Sequence, residues 1–354
     1  MLFELVLCHC FIACTSDERL LHGLPFVMDS VIGGPMGAPG FMVVMGLGMI
    51  YTRHNTPRDF VKRGLSLGIT AYLLNLCRFT IPFLIGYAIT GDYDYYMSDI
   101  VYLTLENDIL MFAALAFLLM ALLVYLKLPP WAILVTGFAM SGLATLLNGI
   151  DLGNDAANIF VGYFFGTEDA AGRVCSYFTL FNWFVVTAFG YFYGYYYSRL
   201  KDKTRFHLIF AVPSLVLSIV YLYIGVTQRT GVFGEGQLCY YHITTYDILG
   251  SLFAATARMG IFYALSFVVP GFIKRFAKEA GANVTSVYCI QWVLVMVISS
   301  LVLRIATGTT ELQDLETVLL AEGITAVSFI GAHYYKKFKR NRLEKREKKI
   351  NAHI

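Results

Sequence analysis

Charged residues are scarce in this chain, since Asp, Glu, Lys and Arg make up only 14% of its 354 residues. A soluble globular domain would carry about a quarter. Hydrophobic residues make up 57%, and they form long continuous runs rather than the short alternating segments of a membrane β-barrel. The composition therefore excludes a soluble protein and a barrel, and it predicts an all-α, multi-pass (polytopic) integral membrane protein.

The motifs of several common chemistries are also missing. The sequence has no HExxH zinc motif, no phosphate-binding P-loop, no GxGxxG turn after a strand and no hydrolase Ser-His-Asp order. These absences argue against a protease, an ATPase or a dinucleotide enzyme. The seven cysteines show no metal-ligand spacing, and only Cys175 and Cys239 are placed to form an external disulfide. We expect no bound metal and no nucleic-acid partner.

Ten apolar stretches predict about ten membrane helices. Because Lys and Arg accumulate in cytoplasmic loops, placing both termini in the cytoplasm puts most of the 27 Lys and Arg residues on that side. The helical domain then covers residues 1–335 of a cytoplasmic-membrane protein, and residues 336–354 form a basic cytoplasmic tail that contacts anionic lipids. The predicted helices cover residues 1–14, 33–51, 64–89, 108–126, 131–149, 177–198, 207–226, 247–271, 287–306 and 316–335.

The first of these stretches, MLFELVLCHCFIAC, is shorter than the roughly 20 residues that a spanning helix needs. It begins without Lys or Arg, unlike a signal peptide. We expect that residues normally preceding Met1 complete this helix.

The segment from Gly33 to Arg78 combines small residues with a group of cations. Gly33 and Gly37 are spaced as GxxxG, and Gly46 and Gly48 follow, so another helix or a thin ligand can approach closely. Four cations in the next loop are suited to binding phosphates, although a basic cytoplasmic loop can also be only a topology signal. These cations are Arg53, Arg58, Lys62 and Arg63.

Ionisable residues inside predicted helices are the best indicators of function, because each needs a partner or water within the hydrocarbon. Arg78 and Arg258 lie in mid-helix, and Asn75 shares a helix face with Arg78. Too few deep acids are evident to pair both arginines, which favours an anionic ligand within the bundle. The alternative is a structural ion pair, such as Arg258 with Glu322.

Histidine is the natural proton carrier near neutral pH, and two histidines flank the Gly33 helix. His9 lies in the outer half of the first predicted helix, and His22 lies in the first external loop. A lone histidine in a membrane helix is also compatible with a purely structural role.

Several runs together resemble a known family. They are GAPGFMVVMGLGMIY (37–51), KRGLSLGITAYLLNLCR (62–78), NDILMFAALAFLLMALL (107–123), FNWFVVTAFGYFYG (181–194) and SVYCIQWVLV (286–295). The pattern resembles the bacterial relatives of heparan-alpha-glucosaminide N-acetyltransferase, a group similar to the wider acyltransferase-3 membrane family. The similarity covers nearly the whole chain.

This resemblance implies acyl transfer across a membrane. Acetyl-CoA or another acyl-CoA is the cytoplasmic donor, and an external sugar or glycan amine or hydroxyl is the acceptor. The loop cations would hold the nucleotide phosphates, the glycine-lined helix would pass the pantetheine arm, and Arg78 or Arg258 would polarise deeper groups. A histidine at the outer end would take the acceptor's proton.

The resemblance offers two positions for that histidine. The acyltransferase-3 family carries an arginine and then a histidine in its first helix, and His9 matches the histidine although the arginine is missing. The lysosomal relative has its catalytic histidine in the external loop before the second helix, where His22 is the nearest match without the relative's tryptophan-containing motif. His22 and His9 are nearly equal candidates, with Asp29 as an orienting carboxylate.

A transporter or flippase for an anionic or sugar-containing substrate is the second hypothesis, with Arg78 and Arg258 lining its path. No clear internal repeat relates the two halves of the chain, which argues against it. A structural or sensing protein is disfavoured by the buried charges. Gly190 and Gly194, again spaced as GxxxG, offer a face for a homodimer.

Overall fold

The computed structural model describes residues 2–173, 176–234 and 240–351, and these ranges are helical, with no β-strand beyond one isolated bridge between Ile150 and Thr167. Eight helices in the described ranges are long and apolar enough to cross a membrane. The all-α, multi-pass prediction is therefore confirmed. Cys175 and Cys239, the predicted disulfide partners, lie outside the described residues.

The helices follow one another with short connections, and we number them in chain order. They are α1 (Leu2–Cys14), α2 (Asp17–Leu20), α3 (Gly23–Tyr51), α4 (Pro57–Thr90), α5 (Tyr93–Tyr96), α6 (Ile100–Thr104), α7 (Ile109–Tyr125), α8 (Pro130–Leu147), α9 (Asp155–Gly162), α10 (Leu180–Tyr197), α11 (Lys203–Gln228), α12 (Thr245–Val268), α13 (Gly271–Ala282), α14 (Val284–Thr307) and α15 (Asp314–Asn351). A short 3-10 turn at Gly231–Phe233 precedes α12.

The predicted helices at 1–14 and 177–198 correspond to α1 and α10, which are not among the eight long apolar helices. The structure also contains α13, where no helix was predicted, and α15 continues without a break from the last predicted span into the basic segment. Which side of the membrane holds the termini stays a prediction.

Three of the long helices contain a π-helical turn within the described residues. These turns are Val27–Gly33 in α3, Leu76–Thr80 in α4 and Val297–Leu303 in α14. A π turn inserts an extra residue, and such turns are frequent at functional sites. The turn in α4 contains Arg78, so the backbone is irregular at the residue that the sequence singled out.

The start of α4 is defined by local chemistry. Thr56 and Asp59 form a capping box, in which each side chain bonds the other residue's backbone N–H, and Pro57 occupies the first turn. This arrangement ends the basic loop and fixes the direction in which α4 leaves it.

The crossing of α3 and α10 explains several of the glycines. A Cβ atom added at Gly46 would lie 2.1 Å from the carbonyl oxygen of Thr187, and one added at Gly190 would lie 2.1 Å from that of Val43. The two backbones are therefore in direct contact, as expected for small residues at a membrane helix interface. Because α10 covers Gly46, this face of α3 is closed to a pantetheine arm.

The same crossing uses the predicted dimer face. A Cβ atom added at Gly194 would lie 3.1 Å from Leu47 and 3.4 Å from Ile50, both in α3. The Gly190 and Gly194 face is thus occupied within the chain, and the expectation that it mediates a homodimer was wrong. Whether the protein forms a dimer through another face stays a prediction.

Candidate active site around His9 and Arg78

His9 is held by three side chains of α14. Its ring stacks on Trp292 with centroids 3.9 Å apart, and Tyr288 meets it edge-on at 6.1 Å. The Gln291 Nε2 atom lies 2.8 Å from His9 Nδ1. Because residues three and four apart share a helix face, Tyr288, Gln291 and Trp292 form one surface against α1. His9 remains partly exposed.

Arg78 lies at the centre of a buried ion cluster. Its side chain is 1% exposed, its Nη2 atom donates to Glu106 at 2.8 Å, and its Nη1 atom lies 3.2 Å from Asp108. Its Nε and Nη2 atoms also donate to the Asn75 side-chain oxygen at 3.2 and 2.9 Å. The prediction that Asn75 and Arg78 share a helix face is confirmed.

These contacts overturn one argument made from the sequence. Two carboxylates, Glu106 and Asp108, pair with Arg78, and Arg258 lies 3.7 Å from Glu4 rather than near Glu322. The expectation that too few acids are available for both arginines was therefore wrong. Glu106 was not predicted as a partner of Arg78 because it belongs to a polar segment before α7. The position of this segment depends on how α4 and α7 pack together.

The histidine and the ion cluster are joined through Trp292 and Tyr288. The Arg78 guanidinium carbon lies 5.0 Å from the Trp292 ring centroid, and the Tyr288 hydroxyl donates to Asp108 at 2.5 Å. We refer to this group as the His9–Arg78 cluster. It consists of His9, Asn75, Arg78, Glu106, Asp108, Tyr288, Gln291 and Trp292.

Helix starts and turns hold the carboxylate side of the cluster in place. Asp108 is the N-cap of α7, since its Oδ1 atom accepts from the Ile109 N–H at 2.6 Å while Oδ2 faces Arg78 and Tyr288. The Asn75 amide donates to the backbone oxygens of Thr104 and Glu106 at 3.2 and 3.0 Å. Asp108 therefore both begins a helix and fixes the charge arrangement around Arg78.

His22 lies elsewhere, on the surface. It is the N-cap residue of α3 and is exposed. It lines a polar pocket of about 760 Å³ with Arg19 and Asp314, which form an ion pair at 2.5 Å. His22 is thus accessible, but its pocket contains no member of the His9–Arg78 cluster.

Asp29 lies in the π turn of α3. Within the described residues it makes no hydrogen bond to His22 or to His9. The neighbouring Met28 carbonyl oxygen instead accepts from the Cys8 thiol at 3.0 Å. The orienting role of Asp29 stays a prediction with no contact to support it.

The four loop cations lie around the start of α4, far from Arg78. All four side chains are exposed, and within the described residues none of them forms an ion pair. Along α4, Lys62 and Arg78 are separated by about 24 Å at 1.5 Å per residue. The structure thus places the predicted phosphate-binding residues at one end of α4 and the ion cluster toward the other end. The cations are Arg53, Arg58, Lys62 and Arg63.

Another histidine, His242, is buried in the segments between the long helices. It is 5% exposed, its Nε2 atom lies 3.2 Å from the Ser176 carbonyl oxygen, and its Nδ1 atom is 3.8 Å from Glu168. Burial lowers the pKa of His242 to about 4, and burial raises the pKa of Glu168. A neutral, enclosed imidazole of this kind is suited to holding loops together rather than to meeting a substrate.

The described residues contain no cluster of three or more His, Cys, Asp or Glu side chains that could hold a metal ion. The comparisons with known proteins give one match. Residues 2–333 match the acyltransferase domain family Acyl_transf_3, whereas neither the curated proteins nor the solved structures contain a match. Since the match covers more than nine-tenths of a chain with multiple apolar helices, the chain belongs to the acyltransferase-3 family of membrane acyltransferases.

Proposed function

We propose that this acyltransferase moves an acyl group, most simply acetyl, from cytoplasmic acyl-CoA to an amine or hydroxyl of a sugar or glycan outside the cytoplasm. The donor, the acceptor class and the sidedness rest on the resemblance to relatives of heparan-alpha-glucosaminide N-acetyltransferase. The exposed cations at the start of α4 support a phosphate-bearing donor, because they are not occupied by carboxylates of the described chain.

His9 is the general base in this proposal. The observation that favours it over His22 is its position, stacked on Trp292 and hydrogen-bonded by Gln291 beside the buried Arg78 ion cluster. A base must be held in a fixed orientation by its neighbours to act on a bound substrate. His22 has no such support, since no side-chain hydrogen bond holds its ring in the described part of the chain.

The chemistry follows from these positions. The acceptor N–H or O–H loses its proton to His9 as its nitrogen or oxygen forms a bond to the thioester carbon. The carbon–sulfur bond then breaks, and the CoA thiolate takes up the proton from the imidazolium. General-base assistance of this kind contributes on the order of 10²–10⁴-fold in rate.

The test compares His9→Ala and His22→Ala in proteoliposomes that contain acetyl-CoA and glucosamine, with CoA release as the measurement. We expect His9→Ala to lose at least 10²-fold in rate and His22→Ala to keep wild-type activity. His333→Ala, on the exposed end region of α15, is the control. Loss of activity only in His22→Ala would identify His22, in the surface pocket, as the general base. Substrate uptake by the wild type without CoA release would favour the transporter hypothesis.

A further inference from the structure

Gln291 is completely buried, yet only one of the two polar atoms of its side-chain amide has a hydrogen-bond partner in the described part of the chain. Its Nε2 atom lies 2.8 Å from His9 Nδ1, while its Oε1 atom is buried and has no hydrogen-bond partner in the described part of the chain. A buried polar atom without a partner costs about 1–3 kcal/mol. Gln291 is therefore held by its contact with His9 and not by a network of its own.

The direction of that hydrogen bond decides which nitrogen of His9 carries the proton. When the Gln291 amide nitrogen donates to Nδ1, a neutral imidazole has its proton on Nε2 and has no lone pair left to act as a base there. When the amide is turned by half a rotation, its oxygen accepts from Nδ1–H. The Nε2 lone pair is then available.

No hydrogen-bond partner other than His9 anchors either orientation in the described part of the chain. In each of them one amide atom bonds to His9 and the other occupies the position that has no protein partner. The stacked Trp292 ring keeps the imidazole plane fixed during the exchange. The amide rotation therefore changes the proton position without moving the ring.

We propose that Gln291 is a positioning residue that selects the His9 tautomer. Its oxygen accepts a hydrogen bond from Nδ1–H when the acceptor substrate is deprotonated, and this leaves the Nε2 lone pair to receive the substrate's proton. The same oxygen then stabilises the imidazolium by accepting from Nδ1–H. This inference rests on the proposed role of His9 as general base.

Two substitutions separate this role from simple packing. Gln291→Leu keeps the approximate side-chain volume but removes the hydrogen-bond acceptor. The carboxylate of Gln291→Glu can only accept hydrogen bonds, so it bonds to His9 only when Nδ1 carries the proton. We expect Gln291→Leu to lower kcat on the order of 10²-fold with an unchanged KM for acyl-CoA, and Gln291→Glu to retain most of kcat. Gln228→Leu, at the exposed end of α11, is the matched control for the same side-chain change.

A spectroscopic measurement does not depend on activity. In nanodiscs with ¹⁵N-labelled histidine, the His9 signal is identified by its loss in His9→Gln, and its ¹⁵N shifts report the tautomer. We expect Gln291→Glu to hold the proton on Nδ1 and Gln291→Leu to hold it on Nε2. Unchanged shifts and unchanged kcat in both variants would overturn the proposal. If the shifts change as expected but the protein has no transferase activity, Gln291 still controls the His9 tautomer, whereas the proposed function is wrong.

Discussion

Replacing Arg78 by methionine tests whether its ion cluster supports the fold or binds a ligand. The side chain is 1% exposed, and it lies 2.8 Å from Glu106 and 3.2 Å from Asp108. Methionine would leave the buried Asp108 and the largely covered Glu106, whose side chain is 12% exposed, without a cation. Removing one partner of a buried ion pair costs about 3–5 kcal/mol, and we expect a loss of that size in the free energy of unfolding.

The assay is reversible unfolding in mixed detergent micelles by SDS titration, followed by tryptophan fluorescence, with acyl-CoA binding measured on the same samples. Arg63→Met is the control because Arg63 lies on the same helix but is exposed. We expect it to leave stability unchanged and to weaken acyl-CoA binding. Adding Glu106→Gln to Arg78→Met should restore part of the lost stability, because it removes one uncompensated charge.

The opposite pattern would refute the reasoning. An Arg78→Met protein that is as stable as the wild type but no longer binds acyl-CoA would show that Arg78 contacts the donor, as the sequence first suggested. A loss of stability that Glu106→Gln does not reduce would show that the cost comes from packing around the side chain and not from the unpaired carboxylates.

Three further predictions concern packing, pH and the donor. Gly46→Ala should destabilise the protein by about 1–3 kcal/mol because its Cβ meets a backbone oxygen at 2.1 Å, whereas Gly48→Ala, with nothing within 4 Å, should be neutral in the same SDS titration. Burial lowers the pKa of His242 to about 4, so the unfolded chain takes up a proton first as the pH falls. Stability should then decrease between about pH 6.5 and pH 4 by up to about 3 kcal/mol, and His242→Gln should lack this part of the slope in thermal unfolding scans. Lys62→Ala and Arg63→Ala should each raise the acyl-CoA Kd on the order of 10-fold, and unchanged titration curves would remove the loop from the donor site.

The overall architecture was predictable because it depends on composition and on the length of apolar runs. Both are properties of consecutive residues, so hydropathy and the distribution of Lys and Arg are enough to locate most of the helices. The π turns were not predictable in this way, because an extra residue in one turn changes the hydrogen-bond register without changing the composition.

The candidate site was predictable only in part. Arg78 and His9 stand out in the sequence because ionisable residues are costly in hydrocarbon. Gln291 and Trp292 do not, since an apolar helix contains many residues of similar character and their importance comes from the packing of α14 against α1. The pairing of Arg78 with Glu106 likewise depends on two segments 28 residues apart meeting in space.

The π turn at Leu76–Thr80 also affects how related chains should be compared. One extra residue in an uninterrupted α-helix would rotate everything after it by about 100°, and the π turn accommodates the extra residue instead. The residues of α4 that precede Asn75 and those that follow Thr80 therefore keep separate periodic patterns. A relative that lacks the extra residue would align with a one-residue gap here, and without that gap the residue in the position of Arg78 would point away from the carboxylates.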